Sequence, residues 1–195
     1  MPTNAKALHS ANGISLLIGL LMIASVQSFG QRGSTETIDA TAFGTSTQLG
    51  RNFGVKLIIY EFSDPEDRDI LVQAFQHGQN DGLVNALQKM KSVGRIAIPG
   101  TLGFDVSYVR EIITPNGRTI RFVTNRQIAF GENYWNTQTK SFNLTAGEII
   151  LNDNDKSKSS GVLFPAAQLI INKEGELQLE LNKNAWRLTN IIEWK

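Results

Sequence analysis

The feature that most constrains the fold is a helix-forming segment, Ser63 to Gly94, in a chain whose other segments alternate like β-strands. Its first residues, Ser-Asp-Pro-Glu, offer capping side chains, a proline suited to the first helical turn and acidic groups that favour a helix N-terminus. Gly78 fits the left-handed position at which a first helix ends. The segment therefore predicts a two-helix hairpin, residues 64–93, with apolar stripes that must pack on a sheet.

Most of the remaining chain reads as strands joined by turns. Phe104 to Ile113 and Arg118 to Thr124 flank a Pro-Asn-Gly turn and predict a hairpin. Val55 to Phe62 is apolar on both faces, so we expect the helical hairpin to cover one of them. The chain end alternates as Trp186, Leu188, Ile192 and Trp194.

Strands and helices do not alternate along this sequence, which excludes a doubly wound parallel sheet. The pattern predicts an α+β fold: a curled antiparallel β-sheet or partly open β-barrel with the inserted two-helix hairpin.

The first 28 residues are typical of a signal peptide. Lys6 precedes an apolar run from Ile14 to Val26, and small residues at Val26 and Ser28 suit cleavage after Ser28. Residues 29–54 then read as a mobile segment with a possible edge strand, and residues 55–195 as a single domain. The expected location is exported, periplasmic or secreted, with no transmembrane span after cleavage.

Composition excludes several classes of protein. The chain has no cysteine, so it lacks both disulfides and a lipoprotein anchor. After cleavage, lysine and arginine balance aspartate and glutamate at 18 each, and nothing points to nucleic acid. His77 is then the sole histidine, too few for a zinc site. We expect neither a metal nor a cofactor.

Two segments carry a resemblance to known sequences. Residues Ala86–Asp105 (ALQKMKSVGRIAIPGTLGFD) and Leu163–Asn172 (LFPAAQLIIN) resemble a family of uncharacterised, signal-peptide-bearing bacterial proteins with no assigned function. The resemblance implies a bacterial exported origin. It carries over no catalytic residue.

Candidate site residues are few. The densest carboxylate cluster, around Asp64 and Asp67, is explained by its position at a helix N-terminus. Arg110, Arg118 and Arg121 cluster on the predicted hairpin and could form an anion site; otherwise they form a solvated face paired with Glu111.

The absence of a nucleophile–base set favours a non-catalytic binding or envelope-associated module. Its partner would be a small apolar ligand enclosed by the sheet, or an envelope protein. Two alternatives stay open: a hydrolase that uses carboxylates alone, and a protein-interaction module that uses an exposed sheet edge.

Overall fold

The structure, a computed structural model, describes residues 35–46, 49–128, 142–173, 175, 177–181 and 184–195. The predicted signal peptide, 1–28, lies outside these residues. The described strands are β1 (Glu36–Gly44), β2 (Asn52–Ile59), β3 (Gly94–Ala97), β4 (Phe104–Thr114), β5 (Gly117–Thr124), β6 (Leu144–Asn152), β7 (Ser160–Ile171), β8 (Leu177–Leu181) and β9 (Trp186–Trp194). One helix, α1 (Pro65–Lys89), connects β2 to β3. None of the described helices is long and apolar enough to cross a membrane.

Eight of the strands close into an antiparallel β-barrel. The order around the sheet is β6-β5-β4-β3-β2-β1-β9-β7, and β6 also pairs with β7, which closes the ring. The ninth strand, β8, continues the sheet from the far half of β7. The barrel part of the predicted fold is confirmed, and so is the exclusion of a parallel sheet.

Strand β1 is central, not an edge strand. It pairs with β2 on one side and with β9 on the other. The folded body therefore includes residues that the sequence analysis had assigned to the mobile segment, 29–54. The possible edge strand predicted in this segment is present, but it has a partner on both sides; small and polar residues such as Thr37 and Thr41 at its outward positions had suggested an edge.

The predicted helical hairpin is wrong: α1 is a single helical element with a kink at Gln79. The sequence offered Ser63, in a capping box with Glu66, or Asp64 as the cap; the structure uses Asp64, in a reciprocal capping box with Asp67. The helix does not end at Gly78, whose φ is not positive; the left-handed φ, 50°, falls on Gln79 instead. The chain bends sharply at Gln79, since a Cβ at Gly82 would meet the carbonyl group of Ala74, eight residues earlier.

Relief of strain at the kink should stabilise the protein. Gln79 has φ 50° and ψ −143°, a conformation costly for a residue with a Cβ. Gln79→Gly is expected to raise the free energy of unfolding by about 1 kcal/mol. Gln73→Gly, at an exposed helical position, is the matched control and should lower it by about 0.5–1 kcal/mol. Urea denaturation of both variants measures the difference; a loss of stability in Gln79→Gly would contradict it.

The barrel interior is a packed core. Alternate residues of every barrel strand point inward and form one apolar cluster, in which Leu57, Phe122 and Leu163 are at most 1% exposed. Phe53 packs on Trp186 with ring centroids 4.7 Å apart. The sequence analysis placed an apolar ligand inside the curled sheet, but this interior is filled by side chains.

Helix α1 lies on the outer wall of the barrel. Its start is fixed to β4 by Ser63, whose backbone N–H donates to the Val109 carbonyl and whose hydroxyl accepts from the Val109 N–H. Its kink is fixed to β7, because the Asn80 side-chain oxygen accepts from the Leu169 N–H at 2.9 Å. Leu87, fully buried, anchors the second half.

The helix does not cover β2, contrary to the sequence-based expectation. Its apolar side packs on outward residues of later strands, among them Tyr108, Val123 and Leu144. Tyr60, the residue that follows β2, is 44% exposed.

Candidate functional site

A groove of about 720 Å³ runs between α1 and the outer wall of the barrel. The barrel wall forms its floor, α1 forms one side, and the β7–β8 hairpin forms the other. Its volume lies within the range of roughly 300–1,000 Å³ that small-molecule sites occupy. We refer to it as the α1 groove.

The floor of the groove is one row of residues across four strands. Tyr108, Val123, Ala146 and Phe164 are successive partners in the registers of β4, β5, β6 and β7. We call this the floor row. Ala146, small and half-buried, lies between larger neighbours, so the floor is lowest there.

The sides of the groove are also apolar. Leu71, Phe75 and Leu83 face it from α1. Leu169 and Leu179, which are partners across the β7–β8 hairpin, face it from the opposite side. A lining of this kind favours an apolar chain, because burying such surface contributes about 25 cal/mol per Å².

Charged residues lie along one rim of the groove. Arg110, Arg121 and Glu148 are successive register partners on β4, β5 and β6. Each lies two residues along its strand from the floor row, on the same face. Arg121 Nε donates to Glu148 Oε2 at 2.6 Å. Arg68, from the first turn of α1, also lines the groove. We call these four residues the charged rim; they carry three positive charges and one negative.

Tyr108 lies where the floor row meets the charged rim. Burial raises the pKa of its phenol above 10.0, although the charges of Arg110 and Arg68 act to lower it. The phenol is therefore a neutral O–H group at physiological pH and can donate a hydrogen bond into the groove.

The structure brings together two of the three predicted anion-site residues. Arg110 and Arg121 share the charged rim. Arg118 does not belong with them, because alternation along β5 places it on the inner face. There its guanidinium binds three carboxylates, those of Glu36, Glu111 and Glu193, with Arg118 Nη1 2.6 Å from Glu111 Oε1. The three arginines of the predicted anion site therefore do not lie together: Arg110 and Arg121 lie on the charged rim with Arg68, and Arg118 lies on the inner face.

The buried cluster around Arg118 is poorly suited to hydrolytic catalysis. Burial acts to raise the pKa of Glu193, but hydrogen bonds from Arg118 and Lys195 outweigh it and lower the pKa overall. Multiple carboxylate bonds likewise raise the pKa of Arg118, against its burial. A general acid needs a raised carboxyl pKa, and Glu193 has the opposite shift.

The other sequence candidates have structural explanations. Asp64 and Asp67 form the capping box of α1. His77 is exposed, and its Nδ1 lies 2.7 Å from the Gln73 carbonyl oxygen one turn earlier. Within the described ranges, no group of histidine, aspartate or glutamate side chains could hold a metal ion.

Sequence reasoning missed most of the groove. Its floor residues were read only as outward or alternating strand positions, and Ala146 carried no signal. The nearest available signal was the strand pattern from Phe142 to Leu151, which corresponds to β6. Without the register between β5 and β6, that pattern could not place Glu148 opposite Arg121.

Comparison with protein-family models, with curated proteins and with solved structures gives no match, so the groove has to be interpreted from its own geometry.

Proposed function

We propose that this chain is an exported, non-catalytic binding protein that holds a single-chain amphiphile with an anionic head in the α1 groove. Export is supported by the predicted signal peptide, residues 1–28. A binding role rather than catalysis is supported by the composition of the groove, whose lining is apolar apart from a few polar and charged side chains.

The observation that carries the proposal is the adjacency of the floor row and the charged rim. Arg121 and Glu148 lie two residues along their strands from Val123 and Ala146, on the same face of the sheet. An apolar chain on the floor would therefore place its head beside the arginines. The rim has a surplus of positive charge, which selects an anionic head over a neutral one.

A larger side chain on the floor row should block ligand binding in the α1 groove. Ala146→Phe should weaken binding of both dodecanoate and dodecan-1-ol at least tenfold, because the ring would occupy the space of the chain. Ile150→Phe is the matched control: Ile150 is exposed on the outer face of the same strand but does not line the groove. Isothermal titration of the purified protein measures both. Equal binding by Ala146→Phe and the wild type would contradict the proposal.

The arginines of the charged rim should determine how strongly the protein prefers dodecanoate over dodecan-1-ol. In the double variant Arg110→Gln/Arg121→Gln, we expect dodecanoate to bind about five- to twentyfold more weakly while dodecan-1-ol is unchanged. Loss of both ligands together would show that the arginines act on the fold and not on the head group.

The alternative function, a protein interaction through an exposed sheet edge, would use β8. Among the described strands it pairs on one side only, with β7. The strand has five residues, and Gln178 and Glu180 alternate with its leucines. Short, polar edges of this kind are typical of strands that avoid pairing with other chains, so we favour the groove.

A further inference from the structure

Resting on the proposed function, we infer that the head group bound at the charged rim is a phosphate monoester and not a carboxylate. The floor row and the sides of the groove fix only the apolar part of a ligand. The charged rim determines which head group the groove can bind.

The first argument is charge. On the groove lining, Arg68, Arg110 and Arg121 outnumber Glu148 by two charges. Two carboxylates of α1 lie nearby: Asp69 is 3.7 Å from Arg68 in an exposed pair that offsets little charge, and Asp67 is bonded in the helix cap. A carboxylate head would balance one of the two surplus positive charges. A phosphate monoester carries about −1.5 to −2 at pH 7 and balances both.

The second argument is the register itself. Arg110 and Arg121 are direct partners across β4 and β5. Like charges directly opposite each other destabilise an antiparallel pair, whereas opposite charges stabilise it. Glu148 contacts only one of the two, through Arg121 Nε. An anion bound between them would turn this unfavourable pair into a binding site.

The third argument is the number of hydrogen-bond donors. Each guanidinium carries five N–H donors, and the contact with Glu148 accounts for one on Arg121. The Tyr108 hydroxyl adds another at the edge of the floor row. Three phosphate oxygens can accept from more of these donors than the two oxygens of a carboxylate can.

The test compares dodecyl phosphate with dodecanoate by isothermal titration at pH 8.0 and pH 5.5. We expect dodecyl phosphate to bind at least tenfold more tightly at pH 8.0, where its head is a dianion. This preference should shrink severalfold at pH 5.5, where the head is mainly a monoanion, its second pKa being about 6. Dodecane-1-sulfonate, a monoanion at both pH values, is measured alongside and reports any titration of the protein itself.

Three further arms separate the possible causes. Arg68→Gln should reduce the preference for the phosphate, and Ala146→Phe should weaken both ligands. Inorganic phosphate alone should bind at least a hundredfold more weakly than dodecyl phosphate; similar affinity would show a free-phosphate site and overturn the inference. Equal affinity for the two dodecyl ligands would overturn it as well, while their common loss in Ala146→Phe would leave the proposed function standing.

Discussion

Arg118→Met is expected to lower the free energy of unfolding by about 3–5 kcal/mol at pH 7. The arginine is 10% exposed and bonds the carboxylates of Glu36, Glu111 and Glu193 inside the barrel. Methionine fills a similar space but leaves these carboxylates without their shared cation. Lys195 and Lys156 still reach Glu193, at 3.2 and 3.6 Å, so the cost falls mainly on Glu36.

Arg121→Met is the matched control. Arg121 also bonds a glutamate, Glu148, but its side chain is 58% exposed. Exposed ion pairs contribute about 0–1 kcal/mol, so this variant should lose less than 1 kcal/mol. Urea denaturation measures both variants, and equal losses would contradict the internal position of Arg118.

Acid should reduce the difference between Arg118→Met and the wild type. In the wild type the folded-state pKa of Glu193 is lowered, so its contribution to stability is present above about pH 4.5 and is lost as the pH falls. In the variant, protonation of a buried carboxylate that has lost its cation relieves the cost of burying the charge as the pH falls. The two stabilities should converge between pH 7 and pH 4; a widening gap would refute this explanation.

Gly147→Ala is expected to cost at least 1–3 kcal/mol. A Cβ at Gly147 would lie 2.2 Å from Cζ of Phe122, its cross-strand partner. Phe122 is 1% exposed and is held within the barrel core. Because the ring is packed in the core, the ring, the strand or the neighbouring core residues must shift.

Gly78→Ala is the control for the Gly147 prediction. No atom lies within 4 Å of a Cβ at Gly78, and its φ is not positive, so alanine should be neutral or stabilising by up to about 1 kcal/mol. Phe122→Leu combined with Gly147→Ala should cost less than the sum of the single changes, because the smaller side chain removes the clash. Thermal unfolding of the wild type and the four variants measures these effects, and strict additivity of Phe122→Leu and Gly147→Ala would contradict the contact.

The sequence predicted the elements that depend on neighbouring residues. The turn at Pro115 and Asn116 forms the β4–β5 hairpin as expected, and α1 begins with the expected cap at Asp64. Such features follow from local dihedral preferences and local hydrogen bonds.

Features that depend on distant residues were not predictable. A bulge at Asn190, whose φ is 50°, shifts the β1–β9 register, so Ile191 and Glu193 point inward in place of Ile192 and Trp194. Glu193 thereby reaches Arg118, which lies on the inner face and not with the other two arginines of the predicted anion site. In the sequence, Asn190 only interrupts the apolar alternation of the last strand, and that interruption alone does not indicate a bulge.

The helical hairpin failed for a related reason. Gly78 is the residue that favours a left-handed conformation, yet Gln79 adopts it. Asn80 is held by Leu169 of β7, and this tertiary contact fixes where α1 bends. Helix propensity alone gives no information about such a contact.

The most direct test of the α1 groove as an apolar binding site is photo-crosslinking with a dodecanoate that carries a diazirine at its chain end. We predict that the label maps by mass spectrometry to α1 and to β5–β6, on residues such as Phe75 and Val123, and that Ala146→Phe abolishes it. Labelling confined to other surfaces of the barrel, or labelling unchanged in Ala146→Phe, would contradict the account.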